Sequence, residues 1–174
     1  IFGEYTYAFL EKITLLAGIR LDYHNQYGIQ FTPRVHFRYS PTENTAIRIN
    51  AGRGWRVSNP IAENISLLVS SRNLNILESL DKESGWNYGI SFLQSFEIRK
   101  KTGSFALDFF RTDFTSQVIV DMDHEEGKIN IYNLNGKSFS NSILAELNLE
   151  PIKNFTLKFA YKMDDVKSTM SGNL

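Results

Sequence analysis

The stretch "RVHFRYSP", residues 34–41, alternates strictly: Arg34, His36, Arg38 and Ser40 share one parity, and Val35, Phe37, Tyr39 and Pro41 the other. A period of two is a strand and not a helix. The pattern recurs about eight times along the chain, and this periodicity limits the possible folds more than any other feature. It leaves one question open. In a soluble sandwich the apolar face meets a core, whereas in an outer-membrane barrel it meets lipid and the charged face lines the interior.

The repeats can be named by face. In "LLAGIRLDYH", Leu15, Ala17, Ile19, Leu21 and Tyr23 oppose Leu16, Gly18, Arg20, Asp22 and His24. "TAIRINAGRGW" sets Ile47, Ile49, Ala51 and Trp55 against Arg48, Asn50, Gly52 and Gly54, with Arg53 breaking the apolar parity. "WNYGISFLQSFEI", "SFSNSILAELNLE" and "FTLKFAYK" continue the scheme. "YTYAF" is a shorter candidate, and "SFALDFFRTDFTSQVIVDM" shifts parity at Phe109 and Phe110, which predicts a bulge there.

The connections alternate in length. Residues 40–45, 99–103 and 150–154 read as tight polar turns, while "HNQYGIQ", the stretch 57–84 and "DHEEGKIN" read as longer loops. That is the habit of an up-and-down membrane barrel, with short turns on one side and long loops on the other. Tyr39, Phe96, Phe105 and Phe155 then fall near the short-turn ends and Tyr23, Trp55, Trp86 and Tyr88 near the long-loop ends, as two aromatic girdles would. The expected fold is all-β: an antiparallel up-and-down meander of about eight strands forming a segment of a transmembrane β-barrel.

Charge narrows the function classes. Lys+Arg and Asp+Glu both number 19, so no net field draws the chain to nucleic acid. The absence of cysteine removes disulfides, thiolate metal sites and a cysteine nucleophile. No phosphate-binding glycine loop, GxSxG elbow or HExxH motif is present, so the residues give no support to an enzyme, and no cofactor is expected. His24, His36 and His124 do not converge in sequence, and the carboxylates of "DMDHEEG" (121–127) lack the full spacing of a calcium loop. No metal site is assigned.

Several stretches resemble the barrel of TonB-dependent outer-membrane receptors, especially those of Bacteroidetes-type bacteria. "GIRLDYHNQYG" followed by "FTPRVHFRYSP" is similar to paired strands of that family, through Gly18, Arg20, Asp22, His24, Pro33, Arg34, Tyr39 and Pro41. "INAGRGWRVSNPIAENISLLVSSR" resembles a strand and loop in which Gly54, Trp55 and Arg56 lead into Asn59, Pro60 and Glu63. "KESGWNYGISF" and "YNLNGKSFSNSILAEL" look like later strands. The resemblance implies that residues 1–174 are a partial barrel region without the signal peptide, TonB box, plug domain and terminal strand of a whole receptor.

It also implies uptake of a scarce extracellular ligand such as an iron chelate, residence in the bacterial outer membrane, and contact with its lipid. The further partners implied are the protein's own plug domain and, through it, the TonB complex. Asn59, Glu63, Asn64, Arg72 and Asn73 on the longest loop are the candidate ligand contacts. Arg20, Asp22, Arg34, His36, Arg38 and Arg48 are expected to face the interior, as a structural ladder or as contacts to the plug or ligand. Two alternatives remain at this level: a complete small eight-stranded barrel serving as adhesin, anchor or lipid-modifying enzyme, and a soluble β-sandwich binding protein.

Overall fold

The computed structural model describes residues 1–98, 101–122, 125–152 and 154–170. Eight strands form one antiparallel sheet: β1 (Phe2–Phe9), β2 (Ile13–His24), β3 (Gly28–Thr42), β4 (Thr45–Arg56), β6 (Glu83–Ile98), β7 (Lys101–Ser116), β10 (Gly136–Ile152) and β11 (Phe155–Met170). Their order in the sheet is their order in the chain, and each matches one alternating stretch of sequence. The sheet is open: β1 pairs only with β2, and β11 only with β10. Between β4 and β6 come a short helix α1 (Pro60–Glu63), a 3₁₀ turn (Ile65–Val69) and β5 (Asn73–Ile76). β5 joins β8 (Val118–Asp121) and β9 (Lys128–Asn133) in a separate three-stranded sheet.

The eight-stranded sheet has almost no core. Among the described residues the buried hydrophobics are Ala46, Val118, Ile129 and Ile131, and only Ala46 lies in the large sheet. Tyr7, Ile19, Val35, Ile49, Ile90, Phe109 and Phe159 are all exposed on one face of it. A sandwich would cover that face, so the soluble-sandwich alternative is not what this chain forms. No helix is long and apolar enough to cross a membrane, a finding that does not bear on crossing by strands.

The register shows how the apolar face lies. One row across the sheet reads Tyr7, Leu15, Phe37, Ile49, Ile90, Phe109, Ile143 and Met163, apolar throughout. The row two residues towards the long connections reads Tyr5, Ala17, Val35, Ala51, Tyr88, Arg111, Asn141 and Asp165, and turns polar from β7 onward. On β2 the apolar parity continues up to Tyr23, but on β11 it ends at Met163. That edge falls by roughly 26 Å along the strands over roughly 29 Å of sheet width, an angle of about 40°. Strands of membrane barrels tilt by about 35–45°, so a level apolar layer would cut this sheet along that line.

Three expectations change. The register is unbroken at Phe109 and Phe110, which pair with Ile90 and Gly89, so no bulge lies there. The apparent shift arises because β7 passes out of the apolar band at that point, leaving Arg111 and Asp113 on the outer parity. The bulge lies instead where the register slips between Ser84–Ser116 and Gly85–Phe114. Second, the β2–β3 connection is residues 25–27 alone, as short as those at the opposite end; only 57–82 and 117–135 are long. Third, the alternating stretch that continues to Met122 is two strands, because Gln117 separates β7 from β8.

Candidate functional site

Arg20, Asp22, Arg34, His36, Arg38 and Arg48 lie on the same face of the sheet, opposite the apolar one. Across the ladders Arg34 faces Gly18 and Gly52, His36 faces Leu16 and Asn50, and Arg38 faces Thr14 and Arg48. Gly18 and Gly52 leave room for the Arg34 side chain, which packs against both positions. Several of these charges are matched locally. Arg20 Nε donates to Asp22 Oδ1 at 2.8 Å, and Arg34 donates to Glu4 on β1.

Pro33 determines what happens above this point. The β3–β4 ladder ends at Arg34–Gly52, one residue from Pro33, whose ring nitrogen carries no N–H to extend it. Beyond that pair β4 stays on β6, and a cleft of about 520 Å³ opens, bordered by Phe2, Arg20, Asp22, Thr32, Arg34, Arg53, Trp55 and Arg56. Trp55 turns into it: its indole N–H donates to Asp22 Oδ2 at 3.3 Å, and its ring stands edge-on to His24. Trp55 is therefore not part of the outer girdle expected from its parity. Trp86 and Tyr88, by contrast, are exposed on the outer face with their rings 6.4 Å apart and nearly parallel.

A second cleft of about 410 Å³ adjoins the first across Trp55 and Arg56, and is walled by Phe114, Asn87, Thr112 and Gln117. The Gln117 side-chain oxygen is buried there without a hydrogen-bond donor. Arg56 is held by Glu83 and Glu63, whereas Arg53 has no side-chain partner among the described residues. Sequence reasoning did not pick out Arg53 or Gln117 as site residues. The available signal was the break of alternation at Arg53 between Gly52 and Gly54.

The loop candidates sit on the same end of the sheet, and each takes part in building it. Asn59 caps α1 by accepting from the Ala62 N–H, Glu63 pairs with Arg56, and Asn64 donates to the Pro60 carbonyl. Arg72 donates to the Met122 carbonyl, and Asn73 opens β5 opposite Lys128 of β9.

The three-stranded sheet was not foreseen. Its core is Ile129, Ile131 and Val118, with Leu74, Leu80 and Val120 packed against them. Tyr132 donates to Asp121 across the β8–β9 hairpin, and burial, followed by that carboxylate, raises its pKa above the ordinary phenol value. Tyr27 in the β2–β3 turn donates to the Leu80 carbonyl, tying the turn to the long connection. Asp123 and His124 of the acidic loop lie outside the described residues. Among the described residues no group of three or more His, Asp or Glu is placed to hold a metal.

Comparison with known proteins places this geometry. A family model described as TonB dependent receptor-like, beta-barrel, matches residues 1–173. The crystal structure of the siderophore receptor PirA from Pseudomonas aeruginosa superposes with a TM-score of 0.73 at 16% identity. The alignment covers 96% of this chain and 34% of that receptor, so the chain spans about a third of its length. No curated protein sequence matches.

Proposed function

The chain belongs to the TonB-dependent receptor β-barrel family, and from that premise we propose that it is a wall segment of an outer-membrane transporter that captures and takes up a scarce extracellular ligand. The family comprises receptors and transporters of the outer membrane, not enzymes. The observation that carries the reading is the pairing of two unlike faces on one uncovered sheet. One is an apolar band inclined at the angle of a tilted barrel wall, and the other is a polar face whose clefts open at the end bearing both long connections. A complete eight-stranded barrel is disfavoured because β1 and β11 do not pair with each other.

In this reading residues 1–174 are part of a larger barrel around a plug domain, and the long connections 57–82 and 117–135 face the outside. A ligand entering there meets Trp55 as an aromatic wall, Arg53 as an unmatched cation, and the amides of Asn87 and Gln117 as hydrogen-bonding groups. Asn59, Glu63, Asn64, Arg72 and Asn73 fix the rim through the bonds described above, so they shape the entrance more than they contact its contents. Binding would be passed to the plug, with the TonB complex supplying the energy of passage. An iron chelate fits a site with a free guanidinium beside an indole ring, and the structural likeness to a siderophore receptor agrees with it.

The test begins with the native protein in the outer-membrane fraction, detected with an antibody against this segment. A band several-fold heavier than the 20.0 kDa chain is expected, while one near that mass would sink the reading. In cells lacking the full-length gene, uptake of one labelled iron chelate should fall at least about tenfold. Arg53→Ala and Trp55→Ala should each weaken binding by about 1–3 kcal/mol without lowering the amount in the membrane. Unchanged uptake of every chelate tried would remove the iron-chelate assignment.

A further inference from the structure

The cleft beside Pro33 is a gap in the sheet itself. Successive residues of a strand turn their backbone N–H and C=O groups to opposite sides. Leu21 exchanges backbone bonds with Ile1, so on β2 the even-numbered residues turn to β3, and on β3 Ile29, Phe31 and Pro33 turn to β4. On β4 the bond from the Ser95 N–H to the Asn44 carbonyl sets the even-numbered residues towards β6, which leaves Arg53 and Trp55 turned to β3. The β3–β4 ladder ends at Arg34–Gly52. Beyond it the Arg53 carbonyl and both backbone groups of Trp55, Phe31 and Ile29 face the gap with no hydrogen-bond partner among the described residues.

Each border of the gap is therefore a sheet edge, to which an extended backbone can be added. The Ile29 and Phe31 side chains are exposed on the outer apolar face, and unpaired backbone groups beside hydrocarbon are costly. The gap thus selects an occupant that supplies both N–H and C=O groups. Volume and charge narrow the choice. About 520 Å³ is room for a small ligand and not for a protein domain. Along the border Arg20 has Asp22, Arg34 has Glu4, and Arg56 has Glu83 and Glu63, so Arg53 is left to meet a negative charge on the occupant. The adjoining cleft adds the Gln117 side-chain oxygen, buried without a donor, which calls for a further N–H or O–H.

Resting on the uptake reading above, we infer that the ligand is of peptide type: a small anion whose secondary amides lie extended between β3 and β4 and continue the interrupted ladder. Its negative charge sits on Arg53, and one of its donors reaches Gln117. Main chain recognises main chain here, so the amide backbone of the ligand, more than its side chains, sets the specificity. A ligand with no chain of amides would leave the open backbone groups unpaired.

The test uses the full-length protein in detergent. The probe is an iron-loaded linear peptide whose hydroxamate side chains hold the metal and whose tail, about four residues long to match the open stretch, ends in a free carboxylate. Methylating the tail nitrogens keeps charge and metal and should weaken binding at least about tenfold. Phe31→Pro removes an N–H from the gap without touching a β2–β3 bond and should do the same, whereas Phe31→Ala, which keeps that N–H, should bind as the parent does. If the proline variant does not reach the membrane, the methylated probe on the unaltered protein decides. Equal binding of both probes, binding of neither, or a Phe31→Pro protein indistinguishable from Phe31→Ala would each overturn the proposal. Slow amide exchange at Ile29 and Phe31 before any probe is added would put a segment of the protein itself in the gap and overturn it as well. Binding of the peptide probe without uptake by cells would count against the transport reading and leave this site standing, while uptake of an amide-free chelate with no peptide binding would do the reverse.

Discussion

Gly89 shows how closely the polar face is packed where β4, β6 and β7 meet. A Cβ built there falls on the Asn50 side-chain oxygen and on the ring of Phe110, which lies across the ladder from it. Gly89→Val is therefore expected to cost about 1–3 kcal/mol through overpacking. The cost should shrink when Phe110 is changed to Ala in the same protein, and urea unfolding monitored by the heat-modifiable gel shift would measure both. At Tyr132 the sign follows from the raised phenol pKa: the folded state holds its proton more tightly than the unfolded one, so this contribution is present below pH 10 and lost as pH rises through the folded value. Protection against hydrogen exchange in β8 and β9, corrected for the base-catalysed intrinsic rate, should fall as pH rises above 10, and Tyr132→Phe should flatten that dependence.

At the scale of the strand, the edge of the apolar band can be tested. Ile143 and Asn141 share a face of β10, one on each side of the proposed boundary. Ile143→Arg should cost about 2–4 kcal/mol and Asn141→Arg about 0–1, because an outward charge is penalised in hydrocarbon and hardly at all near the interface. Equal costs at both positions, measured by unfolding in lipid vesicles, would refute the placement of the boundary. The same boundary explains what the sequence could and could not reveal. Strands such as β2 and β3 were legible because their outward residues stay apolar from end to end, so period two was unbroken. β7 was misjudged at Phe109 and Phe110 because alternation reports what surrounds a strand as well as its geometry, and the surroundings change midway. β5 and the first half of β9 were read as loop, and β8 as the end of β7, since four to six residues are too few to show a period of their own and the partners of β5 are distant in sequence. Trp55 was assigned to the outside by parity; nothing local in the sequence showed that the ladder stops beside Pro33 and allows the strand to turn.

For the molecule as a whole, the open sheet leaves the β1 and β11 edges with unpaired backbone groups, which are strongly unfavourable in lipid. Produced alone in detergent, residues 1–174 are expected to associate edge to edge, and sedimentation should find assemblies larger than one chain. A Thr6→Pro change, on β1 at a residue whose N–H points to the open edge, should reduce them. A monodisperse monomer would contradict this. The inclination of the apolar band also sets a size. Strands about 4.8 Å apart and tilted by about 40° each take up roughly 6 Å of circumference, so eight span about 50 Å. Bent into a ring of their own, they would leave a bore of only about 16 Å between backbones, which inward side chains would fill. A folded domain of about 100 residues has a radius of gyration near 13 Å and cannot enter such a ring. At this pitch the eight strands could only be an arc around a cargo of that size.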